Sequence, residues 1–253
     1  MRCMVKLIAF ILCAAITTTA SAVDYAEHVT GAGAIQIDPS KAYIAFRLLQ
    51  KSEFRFLRVP TDQERADYGK ERAAAYIQAR VRKPGLKESD FEFPTIEDRF
   101  AVNSEFGKVL EKQNGLLVYL IVVKPGKYVL YGHMWRDGPG DVDTCFCMGT
   151  VMFDAPAGQV TDLGRIRMTD DWDMPPPALN PAGIPSFALL AVSAPARETG
   201  RLQGLPVRAA ELRAAGKMPN TFGVAIDRLA PIPGTLEYDK DRVIDPKDRS
   251  VKP

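Results

Sequence analysis

Cysteine is scarce in this sequence, and the scarcity limits the kind of protein it can be. Four cysteines occur in 253 residues, and two of them, Cys3 and Cys13, lie within the first 22 residues. Cys145 and Cys147 are the only others, which is too few for a small domain held together by disulfides. The remaining chain of about 230 residues can bury a hydrophobic core without such cross-links. We therefore expect one large domain with elaborated ends.

Sequence motifs of the common enzyme classes are also missing. The chain has no G-x-S-x-G, no phosphate-binding glycine loop, no H-E-x-x-H and no G-x-G-x-x-G after a strand. Its two histidines are His28 and His133, so a Ser-His-Asp hydrolase would have to use one of them. A hydrolase built on two carboxylates needs no local motif and stays open as an alternative.

No stretch of the sequence is long and apolar enough to span a bilayer, and the nearest candidate has the pattern of a signal peptide. Arg2 and Lys6 precede an apolar run, Leu7–Ile16, which is about half of the roughly 20 residues that a spanning helix needs. Ala20-Ser21-Ala22 then supplies the small residues of a cleavage site. We predict cleavage between Ala22 and Val23, export to the periplasm or beyond, and no integral membrane span afterwards.

The chain without this segment has no excess charge of either sign. It holds 33 Lys and Arg against 31 Asp and Glu, and two of the basic residues but no acid lie in residues 1–22, so 31 of each remain. A balanced, interspersed charge gives no electrostatic basis for binding nucleic acid or an anionic membrane. We expect neither as a partner.

Short apolar runs separated by turn residues fill most of the chain and predict a mainly β protein with an antiparallel β-sandwich. Asn114-Gly115 is a strong hairpin signal, and Pro125-Gly126 suits a type II turn. The predicted strands are residues 42–49, 54–59, 116–123, 128–135, 144–153, 160–168 and 187–192.

Two helices are expected beside these strands. Residues 61–80 form an inserted surface helix, because Thr61 and Glu64 fit a capping box and the alanines favour helix. Residues 206–215 form a short C-terminal helix that begins near Pro206 and ends at Gly216. Residues 83–107 carry no clear pattern, although their phenylalanines are expected to anchor this segment to the core.

The chain divides into six parts on this basis. We predict a signal peptide (1–22), a flexible mature N-terminus (23–40), a β-sandwich domain (41–168), a proline-rich linker (169–185), an extended C-terminal segment packed on the sandwich (186–238) and a charged tail (239–253).

Three stretches, "KAYIAFRL", "VKPGKYVLYG" and "FDAPAGQVTDLGRI", together resemble a loose group of uncharacterised bacterial exported proteins and lipoproteins. The resemblance covers about residues 41–168, and the carboxypeptidase-regulatory type of sandwich shares the P-G-x-Y element. It implies a small β-sandwich and a place in the cell envelope. It implies no activity, because its motifs are turn and core residues.

The two remaining cysteines lie one residue apart in "DTCFCMGTVMF" and allow three interpretations. In a regular strand, Cys145 and Cys147 share a face with Val151 and Phe153, and their Cβ atoms stand roughly 6.5–7 Å apart, too far for a disulfide. We therefore favour buried thiols. A disulfide would need a kink in the strand, and a zinc or copper site would need further ligands.

Together with the two thiolates, His133 of the preceding predicted strand (128–135) would suit zinc or copper, but no ligand pair beyond the C-x-C has a recognisable spacing. That strand would place His133 on a face with Tyr131 and Trp135, where a packed core histidine is the simpler interpretation.

The sequence thus favours an exported envelope protein that binds or scaffolds another envelope component, protein or glycan, without catalysis or cofactor. One alternative is a periplasmic metal-binding protein that uses Cys145, Cys147 and His133. A second alternative is the carboxylate-based hydrolase.

Overall fold

The computed structural model describes residues 25–137, 140–167, 188–190 and 200–248, with side chains omitted for 135–142 and 188–190. The helices are α1 (Asp62–Arg82) and α2 (Ile96–Phe100), and short 3-10 turns cover Glu88–Asp90 and Gly200–Leu202. The strands are β1 (Glu27–His28), β2 (Ala42–Leu48), β3 (Glu53–Arg58), β4 (Ala101–Asn103), β5 (Glu111–Gln113), β6 (Leu116–Val123), β7 (Gly126–Asp137), β8 (Gly140–Cys145), β9 (Thr150–Ala155), β10 (Val160–Arg167), β11 (Ala188–Leu190), β12 (Val207–Ala209), β13 (Arg213–Ala215), β14 (Ala225–Ile226), β15 (Glu237–Asp239) and β16 (Arg242–Ile244).

Two sheets face each other, which confirms the predicted mainly β, sandwich-like fold. The first sheet has the order β1-β6-β2-β10-β11, with β5 also paired to β6 and β12 to β10. The second has the order β13-β9-β7-β3-β4, with β8 paired to β7 and β14 to β8. Most strand pairs are antiparallel, as predicted, but β2–β10, β10–β12 and β8–β14 are parallel.

The parallel pairs arise because several tight turns lead from one sheet to the other. The turn at Pro125 joins β6 of the first sheet to β7 of the second, and residues 156–159 carry the chain from β9 back to β10. Strands that follow one another across these two turns therefore belong to different sheets and do not pair as hairpins. By contrast, the hairpin at Asn114-Gly115 is confirmed, because Gln113 pairs with Leu116 and both turn residues have positive φ.

Aromatic side chains from both sheets form the core between them. Phe46 of β2 stacks on Tyr119 of β6 at 4.9 Å and contacts Phe54 and Phe56 of β3 at 5.9 and 5.8 Å. All four are fully buried. The core therefore joins the two sheets directly.

The outer faces of both sheets are apolar as well and are covered by other parts of the chain. Ile35, Ile37 and residues 202–207 pack over the outer face of the first sheet. Phe100 and residues 215–224 pack over the outer face of the second sheet. Burial on both faces explains why β2 and β6 read as nearly continuous apolar runs.

The predicted surface helix is confirmed as α1. Thr61 and Glu64 form the expected capping box, and no residue of α1 is buried. A second capping box, Thr95 with Asp98, begins the short helix α2 inside the segment that had no clear pattern. The phenylalanines of that segment pack in two different places. Phe91 and Phe93 pack against α1, whereas Phe100 packs on the second sheet.

The short C-terminal helix predicted for residues 206–215 is wrong. Val207–Ala209 runs parallel to β10 as β12, and Arg213–Ala215 runs antiparallel to β9 as β13. Intrinsic helix preference, even that of alanine, is readily overridden by tertiary contacts, and here the unpaired hydrogen-bonding groups of two sheet edges override it.

Both ends of the described chain are more structured than expected. In place of a loose segment at 23–40, residues 25–28 join the two sheets: Tyr25 bridges to Asn103, and Glu27–His28 pairs with β6. Within the segment predicted as a charged tail, β15 and β16 form a hairpin, and Asp245 accepts a hydrogen bond from Arg213. The predicted linker 169–185 and signal peptide 1–22 lie outside the described residues.

Gly132 of β7 provides a test of how tightly the second sheet is packed. A Cβ at this position would lie 2.5 Å from the backbone oxygen of Thr144 in β8. We expect Gly132→Ala to lower the free energy of unfolding by about 1–3 kcal/mol in urea denaturation, because backbone cannot move aside without breaking the β7–β8 pairing. Gly69→Ala is the control, because a Cβ there meets nothing within 4 Å in the exposed helix α1. It should leave stability unchanged or raise it by up to about 1 kcal/mol.

Candidate functional site

The two cysteines are bonded to each other in the structure, with their Cα atoms 5.1 Å apart. The expectation of buried thiols was wrong because the strand does not continue through them. Cys145 ends β8, and a turn follows in which the amide of Gly149 donates to the carbonyl of Phe146 at 3.2 Å. The turn brings the cysteines closer than a regular strand would.

The face predicted for the cysteines is also different. Cys145 and Cys147 lie in the outer-face cluster of the second sheet, whereas Val151 and Phe153 lie in the core between the sheets. Tyr131 shares the outer cluster, donating a hydrogen bond from its hydroxyl to the carbonyl of Pro219 at 2.6 Å.

His133 lies on the opposite side of the second sheet from the cysteines. Arg55 pairs with Gly132 and Phe56 with Leu130, so Tyr131 is an extra residue that forms a bulge in β7. The bulge turns Tyr131 to the outer face and leaves His133 inside, 4.9 Å from the ring of Phe54. The predicted face shared by His133 and Tyr131 was therefore wrong, and the structure does not bring the three predicted metal ligands together. Within the described residues, no group of three or more His, Cys, Asp or Glu side chains could hold a metal ion.

Ser52 and His133 form a hydroxyl–imidazole pair, with 2.9 Å between Oγ and Nε2. Both side chains are only 1% exposed, so a substrate cannot reach them in this structure. Burial lowers the pKa of His133 to about 3, which keeps the imidazole neutral. The pair therefore holds β3 against β7 and lacks the access that a catalytic pair requires.

An arginine occupies the outer face near the disulfide. The guanidinium of Arg55 lies 3.0 Å from the carboxylate of Asp143, donates to the side-chain oxygen of Asn103 at 3.1 Å, and stacks 4.0 Å from the ring centre of Phe222. Burial raises the pKa of Asp143, and the neighbouring Arg55 opposes that rise. These contacts join β3, β4, β8 and the C-terminal cover.

One open site among the described residues is a cleft of about 440 Å³ where helix α1 leaves the sandwich. Five separate parts of the chain form it: residues 25–27, residues 40–41, Arg58 with Glu64, residues 99–102, and residues 122–125 with Tyr128. Val102, Val123 and Tyr128 give it an apolar floor. Basic side chains outnumber acidic ones around it; the basic ones are Lys41, Arg58, Arg99 and Lys124, and the acidic ones are Glu27 and Glu64.

Three of the four cations at the cleft are paired with carboxylates. Arg58 donates two hydrogen bonds to Glu64, at 2.5 and 3.1 Å, and lies 4.5 Å above the ring of Phe100. Hydrogen bonds lower the pKa of Glu64 to about 2; the bond from Arg58 has the larger effect and the bond from the Thr61 amide the smaller. Arg99 is paired with Glu71 and Lys41 with Glu27.

Lys124 differs from these cations. It is exposed on the turn between β6 and β7, and among the described residues its ammonium group has no carboxylate partner. An unpaired cation beside an apolar floor favours a ligand that carries both a carboxylate and an apolar group.

Comparisons with known proteins add no relative, since no family model, no curated protein and no solved structure matches the chain. Across the ranges that the structure describes, no helix has both the length and the apolar character needed to cross a membrane.

Sequence reasoning did not find the cleft. Its residues come from five segments spread over about a hundred positions, and no local motif joins them. The capping pair Thr61–Glu64 was identified, but only as a helix start. Glu64 both caps helix α1 and pairs with Arg58 at the cleft, because its carboxylate accepts hydrogen bonds from the Thr61 amide and from Arg58.

The two histidines allow a direct test of burial. We expect an NMR titration to show a pKa near 3 for His133 and a value below 6.5 for His28, because burial disfavours the imidazolium in both. In the unfolded chain, His133 takes up a proton as the pH falls through about 6.5. In the folded protein, its imidazole stays neutral until the pH nears 3. This residue therefore lowers the free energy of unfolding as pH falls from 6.5 towards 3, by up to about 1.4 kcal/mol per pH unit. A His133 signal that titrates near pH 6.5 would contradict the buried position.

The disulfide predicts a mass difference. Because both thiols are consumed, the denatured protein measured without reductant should be lighter by two hydrogen atoms than after reduction. Equal masses would show free thiols and would return Cys145 and Cys147 to the set of available metal ligands.

Proposed function

We propose that the chain is a non-catalytic binding module of the bacterial cell envelope, exported by the signal peptide predicted at residues 1–22. The cleft beside α1 is its binding surface. The observation that carries the proposal is the cleft itself, in which an apolar floor adjoins an excess of cations and the unpaired Lys124.

The positions of the titratable groups favour binding over catalysis. Glu64 lies at the cleft, but its pKa of about 2 leaves it ionised and paired with Arg58, unsuited to move protons near neutral pH. A glycosidase-like pair needs one carboxylic acid with a raised pKa. Asp143 is a carboxyl group whose pKa is raised, but it is ion-paired with Arg55 and does not line the cleft.

The ligand that fits best is a segment of another envelope protein that carries acidic and apolar side chains. A sugar ligand would stack on exposed aromatic faces. Of the three aromatic rings that line the cleft, Phe100 lies beneath the guanidinium of Arg58, and Tyr128 is 2% exposed with its hydroxyl donating to the carbonyl of Lys124. Tyr25, at 46% exposed, is the one ring whose face a sugar could reach. Carboxylates of a peptide can instead meet Lys124 while its apolar groups meet the floor.

The proposal is testable with a short peptide of alternating glutamate and leucine. We expect this probe to shift the amide NMR signals of the residues lining the cleft, and a peptide in which lysine replaces glutamate to shift none of them. Lys124→Glu should weaken binding of the glutamate peptide about three- to tenfold, the range for a charge at an interface rim.

Lys127→Glu is the matched control. Lys127 is also exposed, lies three residues further along, and does not line the cleft, so its reversal should leave binding nearly unchanged. Equal binding of both peptides, or equal losses in the two variants, would contradict a specific acidic ligand. Cleavage of the probe would contradict a non-catalytic module.

A further inference from the structure

His28 in β1 binds the loop that follows β4 through both nitrogens of its ring. The backbone amide of Glu105 lies 2.7 Å from Nε2, and the carbonyl of Lys108 lies 3.0 Å from Nδ1. Because a backbone amide can only donate, Nε2 must accept, and Nδ1 must carry the proton that is donated to the carbonyl. The two hydrogen bonds therefore require a neutral imidazole in one particular tautomer.

These two hydrogen bonds join the sheets at one edge of the sandwich. Strand β1 pairs with β6 of the first sheet, whereas residues 104–108 directly follow β4 of the second. Strand β1 has only two residues, so its own ladder supplies few hydrogen bonds. The side chain of His28, with its bonds to Glu105 and Lys108, thus holds this edge together, and we call the three residues the His28 clasp.

The residues just before the clasp form one wall of the cleft. Residues 25–27 line the cleft and lead directly into His28. Their further contacts include a hydrogen bond from the amide of Ala26 to the carbonyl of Asn103 at 2.8 Å and an ion pair with Lys41 at 3.1 Å. That ion pair is exposed and adds little stability. Loosening the clasp should therefore loosen this wall.

A proton on Nε2 would disrupt the clasp. The imidazolium has two donors and no free acceptor, so the amide of Glu105 would face another N–H group. Glu105 favours the charged ring and Lys108 disfavours it, and these two side chains are paired with each other at 3.6 Å. Opposite His28, β6 places the apolar Ile121, and Glu27 of β1 is engaged in the ion pair described above. Burial is the largest effect and lowers the pKa of His28, while the bond to Lys108 opposes it.

We propose that the His28 clasp regulates the cleft by pH: proton uptake by His28 releases residues 104–108 and loosens the wall formed by residues 25–27. The effect on the cleft rests on the proposed function, whereas the opening of the clasp does not. A histidine freed from the clasp titrates near pH 6.5, which places the response between about pH 7.5 and 5.5. His133 is the other histidine of the chain, and it stays neutral there because its pKa is about 3.

Amide hydrogen exchange of the wild type, followed by NMR at pH 7.5 and 5.5, tests the clasp without any ligand. Protonation of the open form favours opening by up to about tenfold over this range. We expect the protection factor of the Glu105 amide, corrected for intrinsic exchange, to fall about three- to tenfold. The Leu229 amide, which donates to the carbonyl of Gly149 at 2.9 Å, is the internal control and should keep its protection. An unchanged Glu105 amide, or an equal fall at Leu229, would overturn the clasp.

His28→Phe separates the clasp from other effects of acid. Phenylalanine is favourable in strands and keeps an aromatic ring, but it can neither form these hydrogen bonds nor titrate. We expect the Glu105 amide of this variant to be weakly protected at both pH values. A protection factor that still falls with pH in the variant would assign the response to another group and overturn the proposal. The wild-type measurement needs no variant, so it decides the question even if His28→Phe does not fold.

The glutamate–leucine peptide then tests the link between the clasp and the cleft. Its glutamates, with a usual pKa of about 4.3, stay ionised at pH 5.5, so a change in affinity belongs to the protein. We expect the wild type to bind the peptide at least threefold more weakly at pH 5.5 than at pH 7.5, and His28→Phe to bind it equally at both. Equal wild-type affinity at the two pH values would overturn the regulation of the cleft. A peptide that binds at neither pH, while the Glu105 protection factor still falls, would reject the proposed function and support the clasp.

Discussion

Apolar side chains on both faces of both sheets are the constraint on which the rest of the structure depends. A usual sandwich buries the two inner faces and leaves the outer ones to water. Here the outer face of the first sheet includes Tyr43 and Leu120, and that of the second includes Leu57 and Val129, all buried. The chain on either side of the sandwich must therefore fold over these faces. This explains why residues 25–40 and 200–248 are parts of one domain rather than loose ends.

The chain meets this constraint by changing sheets at its tight turns. Such turns place β10 beside β2 in parallel, an arrangement that a hairpin cannot produce. The pair is fixed by Arg47, which donates hydrogen bonds to the carboxylate of Asp162 at 2.7 and 2.8 Å. Partly buried ion pairs of this kind add little net stability, but they leave a charge unpaired if the strands shift. We infer that Arg47–Asp162 in the first sheet and Arg55–Asp143 in the second specify the strand order.

Chemical reactivity and accessibility are separated in this molecule. His133 is 1% exposed in the core, and Asp143 is paired with Arg55 under the cover of the second sheet. The accessible cleft beside α1 offers instead fixed positive charge and apolar area, and its carboxylate Glu64, whose pKa is about 2, is held by Arg58. This distribution is the basis of the binding role proposed above.

Local sequence determined the features that depend on neighbouring residues. The capping box at Thr61 and Glu64 fixed the start of α1, Asn114-Gly115 fixed a hairpin, and the apolar runs fixed most central strands. These features follow from hydrogen bonds and steric limits within a few residues, so the sequence alone predicts them. The same reasoning failed at residues 206–215, where two sheet edges outweigh a helix preference. It also failed at Cys145–Cys147, where a turn after Cys145 divides the predicted strand 144–153 into β8 and β9.

Tertiary structure alone decided the rest. The bulge at Tyr131 depends on how β7 pairs with β3, and it separates His133 from the cysteines that the sequence sets beside it. The cleft exists because turns between sheets bring together residues from Tyr25 to Tyr128 that share no motif. Which sheet a strand joins is set by the total apolar surface that must be covered, and that quantity belongs to the whole chain rather than to any segment of it.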